Sequence, residues 1–163
     1  MSGETGPDAL LSEAHAFIAP FKSLTLATVS AAGEPLASQA PCVFGLGSGS
    51  AFVFVSALAA HTGNMLASAR ASVLFAAPDE ATAQPFARVR LTAFCTVRPI
   101  PRDDGDWDSV LRVFSQRFGP IMDTLRELQD FHLLALTPIS AQYVKGFADA
   151  HTIAAAHIGE LFG

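Results

Sequence analysis

No stretch of this 163-residue chain is apolar for long enough to cross a bilayer as a helix. Apolar stretches such as Ala51 to Val55 and Ala71 to Phe75 stop far short of the ~20 residues that a spanning helix requires. Charge is also scarce. Only 15% of residues are Asp, Glu, Lys or Arg, the net charge is −5, and no basic block interrupts the chain. A surface of that kind argues against sequence-independent nucleic-acid binding, which depends on neutralising phosphates. The two cysteines, Cys42 and Cys95, form no CxxC and no zinc-like spacing, so buried, inert thiols are expected. The first residues, MSGETGPDALL, lack the basic-then-apolar pattern of a secretory signal, and a cytoplasmic location is expected. No GxSxG, Walker loop or paired-carboxylate arrangement is present, so hydrolase, kinase and glycosidase readings have no footing. Asp103, Asp104, Asp106 and Asp108 cluster just before a predicted helix, where they favour the positive end of its dipole.

What is present is apolar: 50% of the residues are hydrophobic. That is enough for one domain, taken as residues 1–163, to bury a sizeable core. A small domain with so few charges is expected to hide part of its surface against a second copy. Leu10, Leu11, Ala14, Phe17 and Ile18 fall at helical spacing after Pro7, predicting an N-terminal helix within residues 1–22. Strands are predicted at Leu24–Val29, Leu36–Phe44, Ala51–Val55 and Ala71–Phe75, with a helix at about Ala59–Ala67. From Arg88 to Arg98 the alternation is clear: Val89, Leu91, Ala93, Cys95 and Val97 share one face. Two short helices should follow, near Trp107–Phe118 and Ile121–Leu128. Phe131–Leu136 and Gln142–Phe147 read as two closing strands, and the tail 151–163 as a short or frayed helix. Six or seven short strands with few helices between them imply a mainly β, antiparallel barrel with peripheral helices.

The segment AFVFVSALAAHTGNMLASARASVLF, Ala51 to Phe75, is the most informative. Its strand–turn–helix pattern places Ser56, His61, Thr62 and Asn64 around a helix N-terminus. Such residues can cap the helix, or they can join its free N–H groups around a phosphate. Arg88 and Arg90 lie two residues apart and are predicted on one strand face, either as an exposed polar face or as partners of an anion. Lys145 is predicted to share a face with Tyr143 and Phe147, either snorkelling to solvent or edging a ligand.

Five segments in order resemble the pyridoxamine 5'-phosphate oxidase-like, FMN-binding split-barrel superfamily, and more narrowly its heme-utilisation, heme-degrading branch. They are SLTLATVSAAGEPLASQAP, the Ala51–Phe75 stretch, PFARVRLTAFCTV, RFGPIMDTLRELQDFHLLALTP and YVKGFADA, together covering most of Ser23 to Ala150. The resemblance implies a six- or seven-stranded split barrel that pairs as a homodimer, with a cofactor between the chains. It implies FMN bound through Ser38, Ser56, His61, Thr62 and Asn64, with Arg88, Arg90 and Lys145 lining the site, and redox chemistry on an unidentified small molecule. Ser38 stands where the oxidases carry a phosphate-binding arginine. Ala60 and Gly63 stand where the heme branch tends to carry arginines. The alternative ligand is heme, with Arg88 and Arg90 on its propionates, Phe86 and Phe94 against the macrocycle, and Asp130 supporting an axial histidine. The family's C-terminal ligand histidine has no clear match here; His151 and His157 are the nearest candidates.

Overall fold

The computed structural model describes residues 6–163. Helix α1 (Pro7–Ile18) starts with Pro in its first turn, where a missing N–H costs nothing, and buries Leu10, Leu11, Ala14 and Ile18. Strands β1 (Ser23–Val29), β2 (Pro35–Val43) and β3 (Ala51–Ser56) follow, then helix α2 (Ala60–Ser68) and strand β4 (Arg70–Ala76). Two single 3-10 turns, Asp79–Ala81 and Pro85–Ala87, lead into β5 (Arg90–Ile100). Helices α3 (Trp107–Phe118) and α4 (Ile121–Leu125) precede β6 (Phe131–Gly146) and β7 (Asp149–Thr152).

The strands pair antiparallel in the order β3-β2-β1-β4-β5-β6-β7, and a further β3–β6 ladder closes the first six into a barrel. The fold is therefore the mainly β antiparallel barrel with peripheral helices that the strand pattern implies, and the split barrel that the resemblance implies. Alternation decides what fills it. Leu24 and Leu26, Val73 and Phe75, Leu91, Ala93 and Cys95, and Leu134 and Leu136 all point inward and join one buried cluster. Cys42 and Cys95 belong to it, and burial pushes both thiols up to about 12, as inert core cysteines should be. A second cluster lies outside the barrel wall, where Phe52, Phe54 and Leu133 meet Trp107, Val110, Leu111 and Phe114 of α3. The strongly amphipathic spacing of α3 explains this cover.

Two expectations need correction. The predicted pair of closing strands is one 16-residue strand, β6, whose first half pairs with β3 and whose second half pairs with β7. The tail beyond Thr152 is not frayed. After a 3-10 turn at Ile158–Glu160, Leu161 and Phe162 are fully buried, and Phe162 packs against Phe44 and Phe75. The glycine-rich loop after β2 receives this tail. Gly45 N–H donates to the Phe162 carbonyl at 2.9 Å. Gly49 has φ +70, and a Cβ there would stand 2.2 Å from the Gly159 carbonyl oxygen, so only glycine fits. Sequence pattern missed this because an isolated Leu-Phe pair carries no period.

Phe162→Ala should cost about 3–5 kcal/mol through the cavity it leaves. Thermal unfolding would show it as a melting temperature lower by roughly 6–20 °C; an unchanged value would mean that the tail does not hold the barrel.

Candidate functional site

The turn between β3 and α2 brings five of the predicted residues to one end of the barrel. Each is already engaged with protein. The Ser56 hydroxyl donates to the Asp130 carboxylate at 2.7 Å and accepts from the Leu58 N–H at 3.1 Å. Ala57 N–H donates to the Asp130 carbonyl at 2.7 Å, so the start of β6 and the end of β3 are tied twice. Thr62 is fully buried and its hydroxyl donates to the Ser56 carbonyl at 2.7 Å. The Asn64 amide donates to the Thr28 hydroxyl at 3.0 Å, and His61 Nδ1 hydrogen-bonds the Ser38 hydroxyl at 2.9 Å. Partial burial pushes the His61 imidazole below its ordinary value of 6.5, which keeps it neutral at pH 7.

The predicted cations are dispersed. Arg88 is not on the strand. It follows the Pro85–Ala87 turn, which Gln84 initiates by accepting the Phe86 N–H, and β5 begins only at Arg90. The Arg88 guanidinium pairs with Asp79 and donates to the Ala77 carbonyl. Arg90 donates to the Arg88 carbonyl at 3.1 Å. Tyr143 and Lys145 do share a face, but it is turned to α1: Tyr143 packs on Phe17 and Lys145 pairs with Glu13 at 2.6 Å. Phe147 lies past the end of β6 and is exposed. His151 stands opposite Tyr143, pairs with Asp149 and lines a hollow with Pro7 and Leu10 of α1. His157 faces Asp8 and Glu160 at 3.7 and 3.8 Å. Neither histidine lines the outer sheet face described next.

That face belongs to β1, β4 and β5, and Ser68 at the end of α2 borders it. A cavity of about 520 Å³ opens there, within the range of small-molecule sites, between Ala27, Val29, Arg70, Ser72, Phe94 and Ile139. Val29, Phe94 and Ile139 are 51%, 57% and 50% exposed, a cluster rather than scattered singles. Ile139 is there because the β5–β6 register slips: Phe94 pairs with Ser140 and Cys95 with Pro138, which leaves Ile139 unpaired. Such a bulge re-aims a side chain. A smaller hollow of about 320 Å³ continues along the same sheet, past Thr25 and Leu74 to Arg88. Phe94 therefore lines the groove, as the heme alternative expects, whereas Phe86 is exposed in the preceding turn. Arg70 was missed by sequence reading. Extending the alternation Ser72, Leu74, Ala76 back by one step puts it on the outer face.

Comparison with known proteins agrees with this architecture. The pyridoxamine 5'-phosphate oxidase family matches residues 10–145. The heme oxygenase HutZ of Vibrio cholerae is 37% identical over 132 residues, covering 81% of this chain and 74% of HutZ. A crystal structure of HutZ, described as a heme storage protein, superposes with a TM-score of 0.72 at 36% identity, over 78% of this chain and 88% of that one. Campylobacter jejuni ChuZ superposes with a TM-score of 0.82 at 26% identity, over 91% of this chain and 61% of that one. The chain thus belongs to the pyridoxamine 5'-phosphate oxidase-like split-barrel superfamily. Within it, the chain falls in the heme-utilisation branch.

The neutral His61 makes stability depend on pH. With its native pKa below the unfolded value, its contribution is complete above about pH 6.5 and is lost as pH falls through the lower native value. His61→Gln should flatten the decline in denaturation midpoint between neutral and mildly acid pH. A variant with the wild-type slope would show that burial does not perturb this imidazole.

Proposed function

We propose that this protein binds heme, as substrate or cargo of heme utilisation, in the groove on the outer face of β1, β4 and β5. The carrying observation is the chemistry of that groove: an apolar wall with one cationic side chain, Arg70, among its lining residues. Heme has a flat apolar body and ionised carboxylates, and these residues fit both. When bound, heme supplies iron chemistry that its ligation and surroundings control. The chain supplies the apolar face and the carboxylate partner. Identity to HutZ supports the reading.

The same geometry argues against FMN at the α2 N-terminus. The hydroxyls of Ser56 and Thr62 are spent within the protein, His61 is held neutral, and Arg88 is bound by Asp79. A phosphate there would find no cation among the described residues, although charge-assisted contacts are the strong ones. The exposed Val29, Phe94 and Ile139 further suggest that a second copy of the chain covers part of this face, with heme enclosed between the two.

Titration with hemin, followed at the Soret band, should saturate at micromolar protein. Titration with FMN, followed at the visible flavin band, should show no complex at tens of micromolar. The double variant His151→Ala, His157→Ala should leave the hemin spectrum unchanged, because both residues pack toward α1. Light scattering should report a dimer that Phe94→Glu shifts to monomer. A protein that binds FMN tightly and hemin not at all would contradict this assignment.

A further inference from the structure

The ten cationic side chains divide by what they touch. Arg88, Arg98, Arg126 and Lys145 pair with carboxylates. Arg90, Arg102 and Arg117 donate to backbone carbonyls. The side chains of Lys22, Arg70 and Arg112 make no hydrogen bond or ion pair with any described residue. Of these three, Arg70 lines the groove, and among the described residues it is the only charged one that does.

Its backbone is held firmly while its guanidinium is uncommitted. Ala69 ends α2 in the left-handed region, with φ +54, and turns the chain into β4. The Ser68 hydroxyl donates to the Asn64 carbonyl at 2.8 Å, with the Arg70 carbonyl an alternative acceptor at 3.1 Å, and accepts the Arg70 N–H at 3.2 Å. Across the sheet Arg70 faces Thr96, which is uncharged. The other polar groups at the cavity are largely occupied: the Ser72 hydroxyl donates to Ala93, and Thr28 accepts from Asn64. Arg90 pairs opposite Ala76, six residues further along β4, about 20 Å away at strand rise. One carboxylate cannot use both ends.

We propose that Arg70 anchors an ionised carboxylate of the flat apolar ligand that occupies the groove. This rests on the heme reading, under which the carboxylate is a propionate. A guanidinium offers carboxylates a planar fork of donors, and an apolar wall beside it strengthens the pairing. Arg70 is therefore the residue that selects a free acid over an uncharged analogue.

The test titrates the whole protein and the variants Arg70→Gln, Arg70→Lys and Arg112→Gln with hemin, with protoporphyrin IX and with protoporphyrin IX dimethyl ester, with circular dichroism to confirm folding. Arg70→Gln should weaken hemin and protoporphyrin IX by about ten- to a hundredfold. Arg70→Lys should recover part of that loss, and Arg112→Gln should match wild type. The ester should bind wild type and Arg70→Gln alike. If a folded Arg70→Gln binds hemin as wild type does, or if Arg112→Gln loses as much, the anchor is overturned and the heme reading stands. If wild type binds neither hemin nor protoporphyrin IX, the heme reading fails and the anchor falls with it.

Discussion

Closure of the sheet by the β3–β6 ladder is the constraint on which the remaining structure depends. Once those strands pair, the barrel has an inside, and the inside is filled by Leu26, Val73, Phe75, Leu91, Leu134 and Leu136 at 0–1% exposure. Interiors packed in this way leave no room for a cofactor. Any ligand of appreciable size must bind outside. One part of the outer wall is taken by α3, which buries Phe52 and Phe54 against Trp107 and Phe114. The outer face of β1, β4 and β5 is a part of the wall that the fold leaves open.

The distribution of polar groups then separates two candidate regions. At the α2 N-terminus, hydroxyls, amide, carboxylate and imidazole satisfy one another, and Ser56, Thr62 and Asp130 join β3, α2 and β6 into a knot. Removing one member would strand another, which is costly when buried. That network reads best as a support for the barrel end. The outer groove has the opposite character, with apolar side chains exposed and a cation that no described residue pairs with. Unsatisfied chemistry of that kind, rather than polar content as such, distinguishes a place for a ligand.

Much of the architecture was legible because period and burial coincide. The alternation across Leu91, Ala93, Cys95 and Val97 marks β5, and the helical spacing of Trp107, Val110, Leu111 and Phe114 marks α3. The failures fall where local pattern is silent. Arg88 looked like a strand residue because alternation continues through it, yet the Pro85 turn and the Asp79 pair hold it off the strand. The tail that ends in Phe162 reads as a short or frayed helix, because nothing nearby in sequence signals the Gly45 and Gly49 cradle. The polar cluster was found as a set, since Ser56, His61, Thr62 and Asn64 are close in sequence. That their bonds are internal depended on Ser38, Thr28 and Asp130, which come from distant segments. Arg70 is in phase with the alternation of Ser72, Leu74 and Ala76, but it stands at a helix–strand junction, and only the assembled sheet brings it beside Phe94 and Ile139.

The central claim is that the ligand lies on the outer face of β1, β4 and β5 and not at the α2 N-terminus. Ferric heme is paramagnetic and broadens nearby amide resonances, so amide correlation spectra with and without hemin place it directly. Resonances of Ser72, Phe94 and Ile139 should disappear on binding, while those of Ser56, Ala57 and Asp130 persist. Loss confined to Ser56, Ala57 and Asp130, with Ser72 and Phe94 intact, would contradict the account.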